Sequence, residues 1–135
     1  MRYLLILLLI FSPIVNSLSN QDVAAGYSQY ISGLWAEAYD DSGNIFFYSH
    51  YFSNGQVHSY GYTDPNDDKS YYVGDGTWEI INGNRCITIT YSSDKNYEPG
   101  YSWCNRIVEI NTKVFIFKSP NGNTTMHRIS DGKLQ

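Results

Sequence analysis

Three Asn-Gly dipeptides, Asn54-Gly55, Asn82-Gly83 and Asn121-Gly122, each stand between runs of β-branched and aromatic residues. Asn-Gly favours a type I′ reversal, so each dipeptide joins two strands and sets which residues face each other. Strand-like runs recur around them at 33–40, 44–53, 55–63, 71–73 with 77–81, 85–92, 101–110, 113–118 and 124–129. Bulk in these runs comes from 13 Tyr, 3 Trp and 6 Phe, residues that suit pleated surfaces. The pattern predicts an all-β fold, a single antiparallel up-and-down meander closing into a roughly eight-stranded β-barrel. No longer repeat and no low-complexity linker interrupts it.

The first residues read differently. Met1-Arg2-Tyr3 precedes an apolar run from Leu4 to Val15, and Val15 with Ser17 suits the −3 and −1 positions of a signal-peptidase site. Residues 1–18 are therefore expected to be a signal peptide, too short to span a bilayer. Residues 19–31 form an N-terminal arm or short helix weakened by Gly26, residues 32–130 the barrel domain, and residues 131–135 a C-terminal tail. The expected destination is secreted or periplasmic. No Cys directly follows the leader, which argues against a lipid anchor. Without Arg2, 8 basic residues remain against 13 acidic ones, a net charge of −5 that disfavours nucleic acid and anionic membranes. Cys86 and Cys104, alone in an oxidising destination, are expected to form a disulfide. Asn123-Thr124-Thr125 fits a glycosylation sequon, meaningful only in a eukaryotic host.

Turn and disulfide together predict a register. With Asn82 and Gly83 central, Glu79 faces Cys86 and Trp78 faces Ile87; a disulfide between directly opposed cysteines then sets Ile87 against Trp103 and Ile89 against Tyr101. One face collects Trp78, Ile87, Ile89, Tyr101 and Trp103 as core, and the other collects Glu79, Thr88, Ser102 and both cysteines as solvent face. A two-residue turn at Asn54-Gly55 pairs Phe52 with Val57, Tyr51 with His58 and His50 with Ser59, and neither resulting face is plainly polar. At Asn121-Gly122 the turn pairs Phe117 with Met126, and a second turn at Asn111-Thr112 pairs Ile107 with Ile116. Carrying the core face forward places Ile107, Val114, Ile116, His127 and Ile129 inside. It leaves Val108, Ile110, Phe115, Phe117 and Met126 outside, too apolar for plain solvent. Either a β-bulge near Asn105-Arg106 flips the face or these residues form an interface, and the bulge is slightly favoured.

Ile31-Ser32-Gly33-Leu34-Trp35 follows the short helix and opens the first strand. It resembles the Gly-x-Trp opening of lipocalin-like and avidin-like barrels, in which the Trp plugs the closed end of an eight-stranded up-and-down barrel. The Asn54-Gly55 hairpin, Gly61-Tyr62, Gly76-Thr77-Trp78 and Asn82-Gly83 are similar in spacing to small bacterial lipocalin-like domains. The resemblance extends over most of the chain after residue 18, with Gly33-Leu34-Trp35 as its one motif. Avidin's biotin-contacting residues do not match one by one, so biotin is not implied.

Little in the chain points to catalysis. The register puts His50 and His58 on opposite strand faces, which argues against a shared metal, so no metal and no cofactor is expected. Asp64-Pro65-Asn66-Asp67-Asp68 with Asp75 mimics an EF-hand, yet Lys69 occupies the position that requires Gly; a solvated acidic turn fits better. There is no Gly-x-Ser-x-Gly elbow, and Glu37 and Glu79 are not raised above surface acids. The expected function is binding, without catalysis. A small apolar or aromatic ligand would enter a barrel mouth lined by Tyr48, Tyr60, Tyr62, Tyr91 and Tyr101, with His127 as a polar contact. The alternative is a protein-binding module of inhibitor or immunity type, using the Tyr-rich face of 44–63 or the patch of Val108, Ile110, Phe115 and Phe117. A small hydrolase is the weakest reading.

Overall fold

All three Asn-Gly dipeptides lie at strand reversals in the computed structural model, which describes residues 20–38, 44–130 and 133–134. The leader expected over residues 1–18 lies outside the described residues. Helix α1 (Asn20–Ile31) leads into β1 (Gly33–Ala38), β2 (Ile45–Tyr51), β3 (Gln56–Tyr62) and β4 (Tyr71–Ile81). Strands β5 (Asn84–Ser92), β6 (Ser102–Ile110), β7 (Val114–Ser119), β8 (Gly122–Ser130) and the short β9 (Lys133–Leu134) complete the chain order. Each strand pairs antiparallel with the next, and β1 also pairs with β8. The meander is thus a closed barrel of eight strands, which leaves β1 and β8 no free edge where they pair. β9 extends β8 beyond the barrel, pairing Ile129 with Leu134.

One end is sealed by the sequence that resembled Gly-x-Trp. Trp35 is fully buried, its ring edge-on to Phe115 at 5.6 Å, and its Nε1 donates to the Ile31 carbonyl at 2.7 Å. That carbonyl belongs to the last residue of α1, whose final carbonyls lack helical partners. Arg128 lies over the other side of the indole, 4.3 Å from its centroid, and donates to the carbonyls of Ser32, Tyr30 and Thr112. Gly33 takes φ 133°, and a Cβ there would collide with Arg128 Nη1, so this position requires glycine.

The β4–β5–β6 unit has the expected register: Trp78 faces Ile87, Glu79 faces Cys86, Cys86 faces Cys104 and Ile87 faces Trp103. Asn82 and Gly83 both have positive φ, as a type I′ turn requires, and Cys86 and Cys104 are bonded with Cα atoms 4.0 Å apart. Two details differ. Tyr101 lies exposed at the barrel rim, where β6 has not yet begun, and Cys86 is mostly covered. The two runs 71–73 and 77–81 are one strand, bulged at Asp75/Gly76, where Asp75 faces Tyr91 and Gly76 faces Ile89.

The Asn54-Gly55 hairpin slips by one residue. Phe52 and Gln56 close a three-residue loop, Gly55 has φ 85°, and Tyr51 therefore faces Val57 while His50 faces His58. An odd slip reassigns faces. Phe47, Ser49 and Tyr51 share the interior with Val57 and Ser59, and the expected opposition of His50 and His58 across the sheet is replaced by a directly paired couple.

At the third hairpin the turn centres on Pro120-Asn121, so Phe115 rather than Phe117 faces Met126. This slip is even and keeps the faces. The bulge lies at Ile107/Glu109, two residues past the expected site, and the β6–β7 turn closes with Asn111 N donating to the Val114 carbonyl. Ile107 then faces Phe117 and Ile110 faces Phe115. Phe115, Phe117 and Met126 are 0%, 6% and 1% exposed, so the expected outer patch is core; Val108, at the bulge, is the member left at the surface. Val114, Ile116 and His127, expected inside, lie on the alternate side of their strands and are only partly covered.

Candidate functional site

Strand direction places α1, the 82–83 turn and the β6–β7 turn at the sealed end; loops 63–70 and 93–101 emerge at the other. Between them the barrel holds a cavity of about 480 Å³, within the range of small-molecule sites. The alternation of each strand decides its lining. Odd residues of β2, β3 and β5 project inward, which brings Tyr51, Val57, Ile87 and Ile89 to the wall.

Toward the mouth the lining is aromatic. Phe47 stacks on Tyr72 at 6.2 Å, and Tyr97, carried on loop 93–101, meets Tyr72, Tyr101 and Trp103 at 6.3, 5.4 and 6.2 Å. That loop is held in shape from within: Asp94 accepts from Asn96 N at 2.9 Å, Tyr97 N donates to the Asp94 carbonyl, and Ser93 N donates to the Val73 carbonyl of β4. Burial pushes the Tyr72 phenol above its ordinary value, with a Ser92 hydrogen bond opposing, so it stays a protonated donor at neutral pH.

Polar groups are few and convergent. Ser49 and Ser59 hydroxyls bond to each other at 2.8 Å across β2 and β3. Arg85, 5% exposed, donates from Nη1 to the Tyr51 hydroxyl at 2.8 Å and from Nη2 to Asn105 Oδ1, and its guanidinium lies 3.8 Å from the Phe117 centroid. Glu37 lines the same cavity from β1. Burial holds its carboxyl above the ordinary 4.5, and the Arg85 charge draws it part of the way back. The folded state therefore keeps a proton that the unfolded chain has released, and stability from this group falls as pH rises from 4.5 through the folded value. Glu37→Gln is expected to remove that decline. Its urea midpoint should exceed that of the wild type at neutral pH and converge with it near pH 4.

Of the residues that the sequence suggested as ligand contacts, Tyr101 lines the cavity. Tyr48 and Tyr60 lie outside, stacked on each other at 5.0 Å, because the one-residue slip turns even positions of β2 and β3 outward. Tyr62 meets Tyr71 at the outer rim, and Tyr91 is exposed beside the β4 bulge. His127 faces Ala36 and Val114 away from the cavity. Sequence reasoning missed Tyr51, Tyr72, Tyr97, Arg85 and Asn105. Strand alternation from Ile87 through Arg85, and from Trp103 through Asn105, carried the signal for the last two.

His50 and His58 now share the outer face, where His58 Nδ1 lies 2.7 Å from Asp75 Oδ1 and His50 packs on Phe52 at 4.0 Å. Among the described residues no three His, Cys, Asp or Glu side chains are placed to hold a metal. In the acidic loop, Asp64 and Asp67 each accept a backbone N–H two residues on, from Asn66 and Lys69. These are turn-forming bonds of the kind a solvated acidic turn makes. No described helix is long and apolar enough to cross a membrane.

No protein-family model matches the chain, and no curated protein matches it by sequence. Solved structures do match by shape. A lipocalin-like protein from Bacteroides uniformis superposes with a TM-score of 0.52 at 10% identity, over 73% of this chain and 98% of that one. An uncharacterised protein from Bacteroides eggerthii gives a TM-score of 0.49 at 14% identity over the same shares. The chain thus folds as a lipocalin-like barrel, an eight-stranded antiparallel meander plugged at one end by Trp35 and Arg128.

Proposed function

We propose that this is an exported, non-catalytic binding protein that takes a small apolar or aromatic ligand through the barrel mouth. The observation that carries the reading is the cavity of about 480 Å³, sealed at one end and opening among Tyr72, Tyr97, Tyr101 and Trp103. Aromatic walls bury much area at low entropic cost and suit such a ligand. Of the tyrosines that the sequence suggests as contacts, Tyr101 stands at this mouth, beside Tyr72, Tyr97 and Trp103. Export is supported by the apolar leader and by the Cys86–Cys104 disulfide, a bond that persists in oxidising compartments.

A neutral fluorescent probe, N-phenyl-1-naphthylamine, tests the reading. Titration is expected to give saturable enhancement at one probe per chain. Tyr97→Ala should weaken binding about 5-fold or more, the worth of an aromatic contact. Tyr48→Ala, on the outer face, should leave it unchanged. Equal loss in both variants, or no saturable binding, would remove the cavity as the site.

A further inference from the structure

Arg85 is the one charged side chain among the described residues that is buried, and among them it has no partner at ion-pair distance. A guanidinium carries five N–H donors. Tyr51 and Asn105 take one each, both are neutral, and Nε, fully enclosed, has no hydrogen-bond partner among the described residues. Phe117 offers its ring face, which attracts the cation without neutralising it. Glu37 and Asp75 are the acids that line the cavity with it. Glu37 is outside ion-pair distance and is held toward its neutral form by burial; Asp75 is turned to His58. A buried cation in this setting lacks a counter-ion, which is the arrangement an incoming anion completes.

We infer that the ligand is an amphipathic monocarboxylate whose head pairs with Arg85 between Tyr51 and Asn105 and whose apolar body lies along Ile87, Ile89 and Trp103. This rests on the cavity being the ligand site. Planar two-point pairing between guanidinium and carboxylate favours that head over an alcohol, and the partners on Tyr51 and Asn105 fix the orientation of the fork. A doubly charged phosphate head is disfavoured, because Arg85 is the one cation among the residues that line the cavity and balances a single negative charge.

Displacement of N-phenyl-1-naphthylamine by dodecanoate, dodecanol and dodecyl phosphate separates the possibilities. At neutral pH dodecanoate is expected to displace the probe at a concentration about 10-fold or more below that of dodecanol, the worth of a hydrogen bond to a charged group. That preference should vanish as pH falls below about 4, where the alkyl carboxylate takes up its proton. Arg85→Met, with its folding checked by thermal unfolding, should bring dodecanoate and dodecanol to the same concentration. Should that variant not fold, the wild-type comparison and its pH dependence still decide. Equal displacement by dodecanoate and dodecanol would overturn the anion site while leaving the cavity reading intact, and stronger displacement by dodecyl phosphate would overturn the monocarboxylate. Failure of the probe and all three competitors to bind would overturn the cavity reading itself, and the inference with it.

Discussion

Trp35→Ala is expected to lower the free energy of unfolding by about 3–5 kcal/mol, the range for removing a large aromatic side chain from a core. Three losses coincide at this residue. The fully buried indole leaves a cavity against Phe115, whose ring it meets edge-on. The Ile31 carbonyl loses the Nε1 donor that caps α1, and Arg128 loses the ring beneath its guanidinium. Burial already pulls the Arg128 pKa downward, so stripping away its aromatic support leaves a cation in a site that solvates it poorly. Trp35→Phe separates these contributions: it keeps much of the ring and gives up the hydrogen bond, so its loss should be about 1–3 kcal/mol. Urea unfolding at fixed pH reads both. A midpoint for Trp35→Ala no lower than that for Trp35→Phe would mean that the plug is held by Arg128 and the helix without the indole.

How far the sequence carried depends on what stood at each turn. Asn82-Gly83 was legible because a second constraint, the disulfide, had to agree with it, and both cysteines could be opposed only in one register. Asn54-Gly55 had no such partner. The same dipeptide fits a two-residue turn with both residues at positive φ or a three-residue loop with Gly55 at positive φ, and only the second occurs. Tyr51 and Val57 are buried together in that register, which a two-residue turn would have put on opposite faces. At Asn121-Gly122 the slip was even, so the error in pairing still left Phe115, Phe117 and Met126 together on one face, and the bulge in β6 decided which side that face took. The conflict at Val108, Phe115 and Phe117 was real information: it required a bulge, and the bulge exists, displaced to Val108, where the side chain left outside is the smallest of the apolar set.

The candidate site was harder to read for a different reason. Along β2 and β3 both faces mix aromatic residues with serine or histidine, Phe47, Ser49 and Tyr51 on one and Phe46, Tyr48 and His50 on the other, so hydropathy could not tell wall from surface, and one residue of register exchanged Tyr48 and Tyr60 for Tyr51. Tyr97 comes from a loop, whose side-chain direction no strand periodicity fixes. Arg85 reads from sequence as a surface cation in an acidic chain. Its burial follows only once β5 is read through from Ile89 and Ile87 in steps of two.

The second large effect is expected from the disulfide. Cys86→Ala with Cys104→Ala should cost about 3 kcal/mol of stability, since the bond closes a loop with a sequence separation of 18. The loss arises chiefly in the unfolded chain, which regains the freedom of the segment carrying loop 93–101. In the folded state the β5–β6 ladder has its own supports: Thr88 and Ser102 hydroxyls bond at 2.6 Å, Arg85 reaches Asn105, and Ile87 and Ile89 are buried beneath. Those contacts should hold Tyr97 and Trp103 in place at the mouth without the covalent bond, so the double variant is expected to unfold at lower urea while binding N-phenyl-1-naphthylamine with unchanged affinity. An unchanged midpoint with weakened probe binding would reverse this assignment: the bond would then serve to position the mouth loop, and the barrel's stability would rest on the sealed end alone.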